Sequence, residues 1–273
     1  MDFVTKVQVP FTATSLGSIS VPRDPLDQTQ IVTEGFFPMI SPMDDSEAAA
    51  GQKYMTWAGN LKKYKIVDGT LKDKSNNSIY TTVNNQQKIN STAQDLWSIA
   101  STSDDHSDIM SGGSLNKIPV PSLLNIPGQP SKADSARNVY TIDGTVLKKV
   151  TKDNIATDVA GTTALDTTNI SASQRYALLN YLGYVAPIPT TTPTTLTTTQ
   201  VNNLATVPAS PYRYMGGVVH STPVLATKEA KISSGSNTVE SREEYVVYGS
   251  MEGGLHIVDA STGAEKSVFV TKE

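Results

Sequence analysis

A short stretch in the first half of the chain combines carboxylates with an imidazole. Asp104 to Asp108 reads DDHSD, with three aspartates and one histidine. Alternating oxygen donors in a loop can bind calcium, which takes about six to eight oxygen ligands. The glycine and the distal glutamate of an EF-hand loop do not accompany these acids. The stretch is therefore interpreted as a solvated acidic loop, with calcium binding as the alternative.

The three histidines, His106, His220 and His256, are the side chains whose ordinary pKa lies nearest neutrality. A nucleophile and base pair would join His220 to Ser221, but sequence neighbours on a strand point to opposite faces. The sequence therefore predicts no catalytic residue. His220 and His256 are interpreted as structural strand residues that hydrogen-bond to a neighbouring part of the fold.

Composition excludes several classes of function. The 273 residues contain no cysteine, which rules out disulfides, thiolate metal sites and cysteine catalysis. The formal net charge of -4 argues against a general nucleic-acid surface, which needs clustered Lys and Arg. One basic set, Lys62, Lys63 and Lys65, is interpreted as a solvated strand face. No run approaches the ~18 apolar residues of a membrane span, and Met1 to Pro10 lacks a signal-peptide core.

The stretch YVVYGSMEGGLHIVDASTGAEKSVFV, residues 245 to 270, alternates β-forming runs with turns. Three antiparallel strands are predicted: Tyr245 to Tyr248, Leu255 to Val258 and Glu265 to Val270. In the second turn, the carboxylate of Asp259 can accept backbone amides, and Gly263 can adopt positive φ. The pattern fits the inner part of a four-stranded propeller blade and fits a simple meander equally well.

Two more hairpins are predicted at Asp68-Gly69 and Asp143-Gly144, because Asp-Gly pairs favour two-residue turns with positive φ at both residues. The strongest helix signal is SASQRYALLNYLG, residues 171 to 183, in which Ser171 and Gln174 have the spacing of a capping box.

A second helix is predicted from Thr92 to Ala100, where Leu96 and Trp97 would pack against a sheet. The segment APIPTTTPTTLTTTQ, Ala186 to Gln200, is rich in Pro and Thr and poor in apolar side chains. We expect it to be an extended, mobile loop with few long-range contacts that is dispensable for folding.

Several of these stretches resemble known sequence signatures. YGSMEGGLHIVDASTG resembles the blade signature of quinoprotein-type β-propellers. RYMGGVVHSTPVL, residues 213 to 225, resembles the segment that enters the propeller in the PilC/PilY family of type IV pilus tip proteins. The stretches WAGNLKKYKIVDGTLKD, DLWS, SGGS and ARNVYT precede it in the order typical of that family. The residues of the blade motif, interpreted as structural, are His220, Gly249, Gly254, Leu255, His256, Asp259 and Gly263.

Two positions depart from the family pattern. Gly217 stands where the family has an acidic residue, and Ser267 stands where a blade-docking Trp is frequent. The nearest remaining aromatic residue is Phe269.

The resemblance implies a mainly β fold: an incomplete β-propeller with quinoprotein-alcohol-dehydrogenase-like blades, long insertions and one or two short helices. The implied organisation is a leading segment over residues 1–50, first propeller hairpins with insertions over 51–185, a Thr/Pro-rich loop over 186–210, and a propeller blade over 211–273.

The implied function is non-enzymatic, in pilus biogenesis, control of retraction and surface adhesion. Expected partners are pilus components such as minor pilins and a host or abiotic surface, with no nucleic acid. The expected location is extracellular or at the outer-membrane surface, with a signal peptide upstream. No cofactor or metal is expected in this segment, and the family's calcium loop is expected downstream of residue 273. The alternative is a fragment of a quinone-dependent dehydrogenase, which the lack of cysteine disfavours because such enzymes often stack the quinone on a vicinal disulfide.

A propeller protects its strand edges by arranging roughly four to eight blades in a ring. The motifs here support one well-formed blade, so we expect the strand from Glu265 to Val270 to present an unpaired edge. Val268, Phe269 and Val270 would then lack the neighbour that buries them. The chain is accordingly expected to be marginally stable, mobile or self-associating at this end.

Overall fold

The computed structural model describes residues 19–27, 32–42, 57–99, 104–124, 132–134, 136–184, 186, 191–204, 213–235 and 238–271. Within those ranges the fold is mainly β. The strands are β1 Glu34–Pro42, β2 Trp57–Val67, β3 Thr70–Lys72, β4 Tyr80–Val83, β5 Gln86–Ile89, β6 Ser122–Leu124, β7 Lys132–Asp134, β8 Val139–Asp143, β9 Val146–Val150, β10 Val224–Ile232, β11 Val239–Gly249, β12 Gly254–Asp259 and β13 Glu265–Val270. The helices are α1 Ala172–Tyr181 and α2 Thr198–Leu204, and a single 3-10 turn covers Leu115–Lys117.

The described strands form two larger sheets and two hairpin ribbons. One sheet is three-stranded in the order β1-β2-β3, and the other is six-stranded in the order β10-β11-β12-β13-β8-β9. The ribbons are β4-β5 and β6-β7. None of these sheets closes on itself in the part of the chain that the structure describes. Among the described helices, none is long and apolar enough to cross a bilayer.

The predicted C-terminal strands are confirmed, and β10 extends them to a four-stranded antiparallel meander. Tyr248 pairs with His256, and His256 pairs with Val268 on the next strand. The second turn also forms as predicted, because Asp259 Oδ1 accepts hydrogen bonds from two backbone amides within the turn. Gly263 closes that turn with a φ of 73°.

One of the two Asp-Gly hairpins turns where it was predicted. Asp68 and Gly69 have φ values of 49° and 71° and join β2 to β3. In the other hairpin Asp143 is the last strand residue and pairs with Val146, so the turn lies one residue later than predicted. The Asp143 carboxylate is held in place by Lys148 and by the backbone amide of Asp166 instead of joining the turn.

The expectation of an unpaired edge on β13 is wrong. β13 pairs in parallel with β8, with Val268 opposite Val139 and Phe269 opposite Tyr140. Val268 is fully buried, and the Phe269 ring stacks on the Tyr140 ring with centroids 5.5 Å apart. The β8-β9 hairpin, which lies more than a hundred residues earlier in the chain, therefore covers this edge.

The interpretation of the basic set as a solvated face is also wrong, since Lys62 and Lys63 are buried. The cause is the central position of β2, which pairs with β1 and is covered by the loop that precedes the 3-10 turn. Lys62 Nζ donates to the carbonyl oxygens of His106 and Asp108 at 2.6 and 2.9 Å. Burial lowers the pKa of Lys62 to about 8 even though acidic groups nearby oppose that shift. Lys63 Nζ donates to the carbonyl oxygen of Ala260 at 2.8 Å.

The helix predicted from Thr92 does not form over residues 92–99, and Ala100 lies outside the described residues. Turns replace the helix because the Asp95 carboxylate accepts hydrogen bonds from one nearby and one distant backbone amide. Its Oδ1 accepts from the Trp97 amide and its Oδ2 from the Gly113 amide, each at 2.9 Å. Trp97 is nevertheless buried, and its indole Nε1 donates to Ala260 O at 3.1 Å.

Helix α1 confirms its prediction, including the reciprocal capping box of Ser171 and Gln174. The expectation that the Thr/Pro-rich segment is extended and makes few long-range contacts is wrong where that segment is described. Leu196 is fully buried, and its backbone carbonyl accepts from the Thr157 amide at 2.7 Å. Thr197 and Gln200 then exchange hydrogen bonds as a second capping pair at the start of α2.

The buried side chains form three clusters. The first packs α1 and α2 against β8 and β13, and the second lies between the three-stranded sheet and the meander. The third covers the other face of the three-stranded sheet. Strand β1 is buried on both faces, since Phe36 belongs to the second cluster and Phe37 to the third. The helices and the three-stranded sheet therefore pack side by side against the same face of the six-stranded sheet, because Val139 and Val268 of the first cluster lie on the same face as Val246 and Val258 of the second.

We predict that Leu196→Ala lowers the free energy of unfolding by about 2 to 4 kcal/mol, because it deletes a fully buried side chain from the first cluster. The matched control is Thr195→Ala at the exposed neighbouring position, which is expected to change it by less than about 0.5 kcal/mol. Urea denaturation of the three proteins measures both values. Equal stability of Leu196→Ala and the control would show that the segment does not pack.

Candidate functional site

A buried network of charged and polar side chains lies inside the meander, where β12 and β13 meet the residues before β8. Arg137 precedes β8, His256 lies in the middle of β12, and Glu265 begins β13. Ser250 and Glu252 lie in the turn between β11 and β12. The side-chain alternation of β12 turns His256 inward, with Leu255 on the opposite face.

The strongest contact in the network is the ion pair between Arg137 and Glu265. The guanidinium donates from Nε to Oε1 at 2.6 Å and from Nη2 to Oε2 at 2.9 Å. Both side chains are almost completely buried. Arg137 Nη1 also donates to the carbonyl oxygens of Tyr181 and Tyr214 at 2.8 and 3.0 Å. The pair thus connects β13 to the end of α1 and to the segment that precedes β10.

His256 continues the network from the same carboxylate. Its Nδ1 lies 2.9 Å from Glu265 Oε2, and its Nε2 lies 2.8 Å from Ser250 Oγ. Nε2 also lies 3.6 Å from Glu252 Oε1, which is an ionic contact and longer than a hydrogen bond. The imidazole stacks on the Tyr248 ring at 5.1 Å with an interplanar angle of 11°. The order of charged groups is therefore Arg137, Glu265, His256 and Glu252, alternating cation and acid.

This alternation shifts the pKa of the histidine and of both acids. Burial lowers the pKa of His256, but the carboxylates of Glu252 and Glu265 outweigh that effect, so its pKa is raised above the ordinary value. Burial raises the pKa of Glu265, yet Arg137 and His256 bring it down to about 2. The pKa of Glu252 is lowered as well, because His256 outweighs burial there. The network therefore favours a histidinium between two carboxylates.

Two glycines give the network its space. A Cβ added at Gly254 would lie 2.8 Å from His256 Nε2 and 2.9 Å from Ser250 Oγ. A Cβ added at Gly216 would lie 2.0 Å from Glu252 Oε2. All three distances are shorter than van der Waals contact, so a larger residue at either position would displace the network.

Ser250, His256 and Glu265 have the hydrogen-bond order of a nucleophile, a base and an orienting acid. A general base must be neutral to accept a proton, whereas the raised pKa of His256 favours the protonated ring. Ser250 Oγ can also donate to the Gly254 carbonyl at 3.1 Å. The arrangement is therefore suited to holding the turn closed, with the serine as a bridge between the histidinium and the backbone.

The other residues of the blade motif serve the turns and the packing. The Gly249 amide donates to Ser221 Oγ at 2.7 Å, and a Cβ at Gly263 would lie 2.6 Å from the Trp97 ring. Leu255 lies on the outward face of the sheet and is partly exposed. The interpretation of His220 as a hydrogen-bonded strand residue is wrong, since it is exposed in a bend before β10. His220 and His256 therefore do not share a site.

The acidic stretch Asp104 to Asp108 folds around the ammonium group of Lys62. Two of its backbone carbonyls accept from Lys62, as described above. Two of its three carboxylates accept hydrogen bonds from their own loop: Asp105 Oδ1 accepts from the Ser107 amide, and Asp108 Oδ1 accepts from the Met110 amide. Over the described ranges there is no group of three or more His, Cys, Asp or Glu arranged to hold a metal ion.

Sequence reasoning included His256 but missed its partners Arg137, Glu265, Ser250 and Glu252. One signal was present for Glu265. The turn from Asp259 to Gly263 fixes the β12-β13 pairing, and that pairing turns both His256 and Glu265 inward. Arg137 carries no comparable signal, because it reaches Glu265 from 128 residues away through the parallel β13-β8 pairing.

Comparison with known proteins gives no relative: no protein-family model, no curated protein and no solved structure matches the chain.

We predict that the titration of His256 makes the free energy of unfolding depend on pH. Because its folded-state pKa is raised, its stabilising contribution is complete below the ordinary value of about 6.5 and is lost as the pH rises through the folded value. The free energy of unfolding, measured by guanidinium denaturation from pH 5.5 upward, should therefore fall more steeply in the wild type than in His256→Gln. Other groups that titrate in this range, such as Lys62, contribute to both proteins. Parallel curves for the two proteins would contradict the prediction.

We also predict that Gly254→Ala lowers the free energy of unfolding by about 1 to 3 kcal/mol, because the added methyl group overlaps the His256 and Ser250 side chains. The control is Gly235→Ala, where no atom lies within 4 Å of the added Cβ. That variant is expected to stay within about 0.5 kcal/mol of the wild type. Urea denaturation of the two variants and the wild type measures these differences. A Gly254→Ala protein as stable as the control would show that the network can accommodate the added methyl group.

Proposed function

We propose that the chain is a non-enzymatic segment of a type IV pilus tip protein of the PilC/PilY kind, and that strands β10 to β13 form one blade of an incomplete quinoprotein-like β-propeller. The single observation that carries this proposal is the role of the blade motif in the fold. Gly254 makes room for the buried network, His256 is its central cation, and Asp259 and Gly263 build the following turn. Each of these four residues has a structural role, and the sequence stretch that contains them resembles the propeller signature.

A second line of support is the convergence of the other quoted stretches on this meander. Trp97, from DLWS, packs beneath the Asp259 to Gly263 turn, and Asp95 of the same stretch accepts from Gly113 of SGGS. Arg137, from ARNVYT, forms the ion pair with Glu265. Stretches that occur in the family's order along the chain thus lie together in space.

The proposed role is in pilus biogenesis, control of retraction and attachment to a surface. Its partners are proposed to be pilus components such as minor pilins, and its location the outer-membrane surface or the extracellular pilus. These parts of the proposal rest on the resemblance. The state of the histidine supports the non-enzymatic part, because a histidinium held between two carboxylates is a poor general base.

The test is genetic. In the organism that encodes this chain, an in-frame deletion of the reading frame should abolish or strongly reduce surface pili, measured as pilin in the sheared fraction, and should reduce twitching motility. Complementation with the Gly235→Ala gene should restore both readouts to the level of the wild-type gene. Complementation with Gly254→Ala should restore less, in proportion to its loss of stability. Normal piliation and motility in the deletion strain would overturn the proposal.

A further inference from the structure

A cleft lies between the three-stranded sheet and the meander, beside the second cluster. Its volume is about 380 Å³, and small-molecule sites span about 300 to 1,000 Å³. Val32, Phe36 and Leu225 give it an apolar lining, and Ala260 and Ser261 line it from the turn between β12 and β13. None of the residues of the buried network lines this cleft. It is therefore a separate place in the fold where a ligand can bind.

Charged side chains of both signs line the cleft from both sheets. On the three-stranded sheet, Glu34 and Lys63 form an ion pair. On the meander, Arg242 and Glu244 precede Val246 of the second cluster at intervals of two residues, so they share its face of β11. Each sheet thus brings one acid and one base to the cleft.

These ion pairs leave several hydrogen-bonding atoms open. Arg242 donates through Nη1, to both carboxylate oxygens of Asp24 at 2.7 Å and to Glu244 Oε1 at 3.4 Å. Its Nε–H and Nη2–H groups donate to no described residue, and together they form an edge that can bind a carboxylate with two parallel hydrogen bonds. Glu34 Oε1 and Glu244 Oε2 likewise accept from no residue within the described ranges.

Two more acids line the cleft, and each already has a cation. Glu243 pairs with Lys228 at 2.9 Å, and Asp259 pairs with Lys266 at 3.2 Å. The groups left open to a ligand are therefore one guanidinium edge and two carboxylate oxygens. A ligand with a single charge would match one of these sets and oppose the other, whereas a ligand with both charges matches both.

We propose that the cleft binds a free α-amino acid with an apolar side chain. The carboxylate of the ligand takes the open edge of Arg242, and its ammonium group donates to Glu244 Oε2 and Glu34 Oε1. Its side chain contacts the apolar lining, including Phe36 and Leu225.

The spacing of the two binding groups favours an α-amino acid over a ligand whose charges lie far apart. Arg242 Nη1 and Glu244 Oε1 are 3.4 Å apart, so the guanidinium and the carboxylate lie side by side. In an α-amino acid the ammonium and carboxylate groups are attached to the same carbon, which brings opposite charges equally close together. This inference concerns the cleft alone and does not depend on the proposed pilus role.

Isothermal titration calorimetry of the purified chain with L-leucine, up to ~10 mM, tests the proposal, and we expect a dissociation constant below ~1 mM. N-acetyl-L-leucine lacks the ammonium charge and resembles the last residue of a peptide. L-leucinamide lacks the carboxylate and resembles the first residue. L-aspartate keeps both charges but replaces the apolar side chain with an acid. Each of the three should bind at least ~10-fold more weakly than L-leucine.

Two substitutions on β11 test the assigned contacts. Arg242→Gln should raise the dissociation constant of L-leucine at least ~10-fold but leave that of L-leucinamide within ~2-fold, because L-leucinamide has no carboxylate. Glu244→Gln should weaken the binding of both ligands. The matched controls are Lys231→Gln and Glu240→Gln, which break an exposed ion pair on the same two strands outside the cleft. Both controls should bind L-leucine like the wild type.

The proposal is overturned if L-leucine does not bind at ~10 mM. Equal affinity for N-acetyl-L-leucine or L-leucinamide also overturns it and would assign the cleft to a peptide terminus. Equal affinity for L-aspartate overturns the apolar contact and with it the proposal. An L-leucine affinity that Arg242→Gln and Glu244→Gln leave unchanged would place the binding elsewhere. If circular dichroism shows that either variant is unfolded, the other variant and the leucine derivatives decide.

Discussion

The buried ion pair between Arg137 and Glu265 is the contact on which the arrangement of the six-stranded sheet depends. It joins the first residue of β13 to the residue two positions before β8, at the place where these two strands begin their parallel pairing. Burying two charges costs several kcal/mol per ion unless their remaining hydrogen-bonding groups are satisfied. Here the guanidinium makes two bonds to the carboxylate and two more to the carbonyls of Tyr181 and Tyr214. Because those carbonyls belong to α1 and to the segment before β10, correct docking of three separate parts of the chain is needed before the charge is compensated.

The same constraint explains the composition of the turn between β11 and β12. The Glu265 carboxylate that pairs with Arg137 also orients His256 through its Oε2 atom. The histidinium is then stabilised by a second acid on the other side of the ring. Glu252 supplies that acid and lies against Gly216, where a side chain would collide with it. Gly254 is required for the same reason beside the imidazole. Glycine is therefore required at these two positions because the charged side chains occupy the space that a larger residue would fill.

How much of the fold could be predicted depended on whether the deciding contact was local. Helix α1, the Asp68-Gly69 turn and the three C-terminal strands were predicted correctly because their signals lie within a few residues: a capping box, a turn pair and β-forming runs. Helix α2 begins with the capping spacing of Thr197 and Gln200, but the surrounding threonines and prolines favour a loop. The contact that orders this segment joins Leu196 to Thr157, and no residue close to Leu196 in the sequence indicates it. The burial of Lys62 and the pairing of β8 with β13 depend on residues at least 44 positions apart. The same holds for the candidate site. His256 belongs to a local sequence motif, whereas Arg137 and Glu265 come together only through the distant pairing of β8 with β13.

The proton count of the network shows why a serine, a histidine and an acid in hydrogen-bond order need not form a catalytic unit. With a protonated ring, Nδ1–H donates to Glu265 and Nε2–H donates to Ser250 Oγ, whose own hydroxyl donates to the Gly254 carbonyl. Every donor then has an acceptor, and Glu252 faces a positive charge. With a neutral ring that accepts from Ser250, the serine would give up the Gly254 carbonyl, and Glu252 would face an uncharged nitrogen in a buried position. A buried carboxylate without a compensating charge is costly, which favours the protonated ring and agrees with the raised pKa of His256. In a catalytic triad the acid orients a neutral base, whereas here a second carboxylate, that of Glu252, lies on the far side of the ring and favours its protonated form.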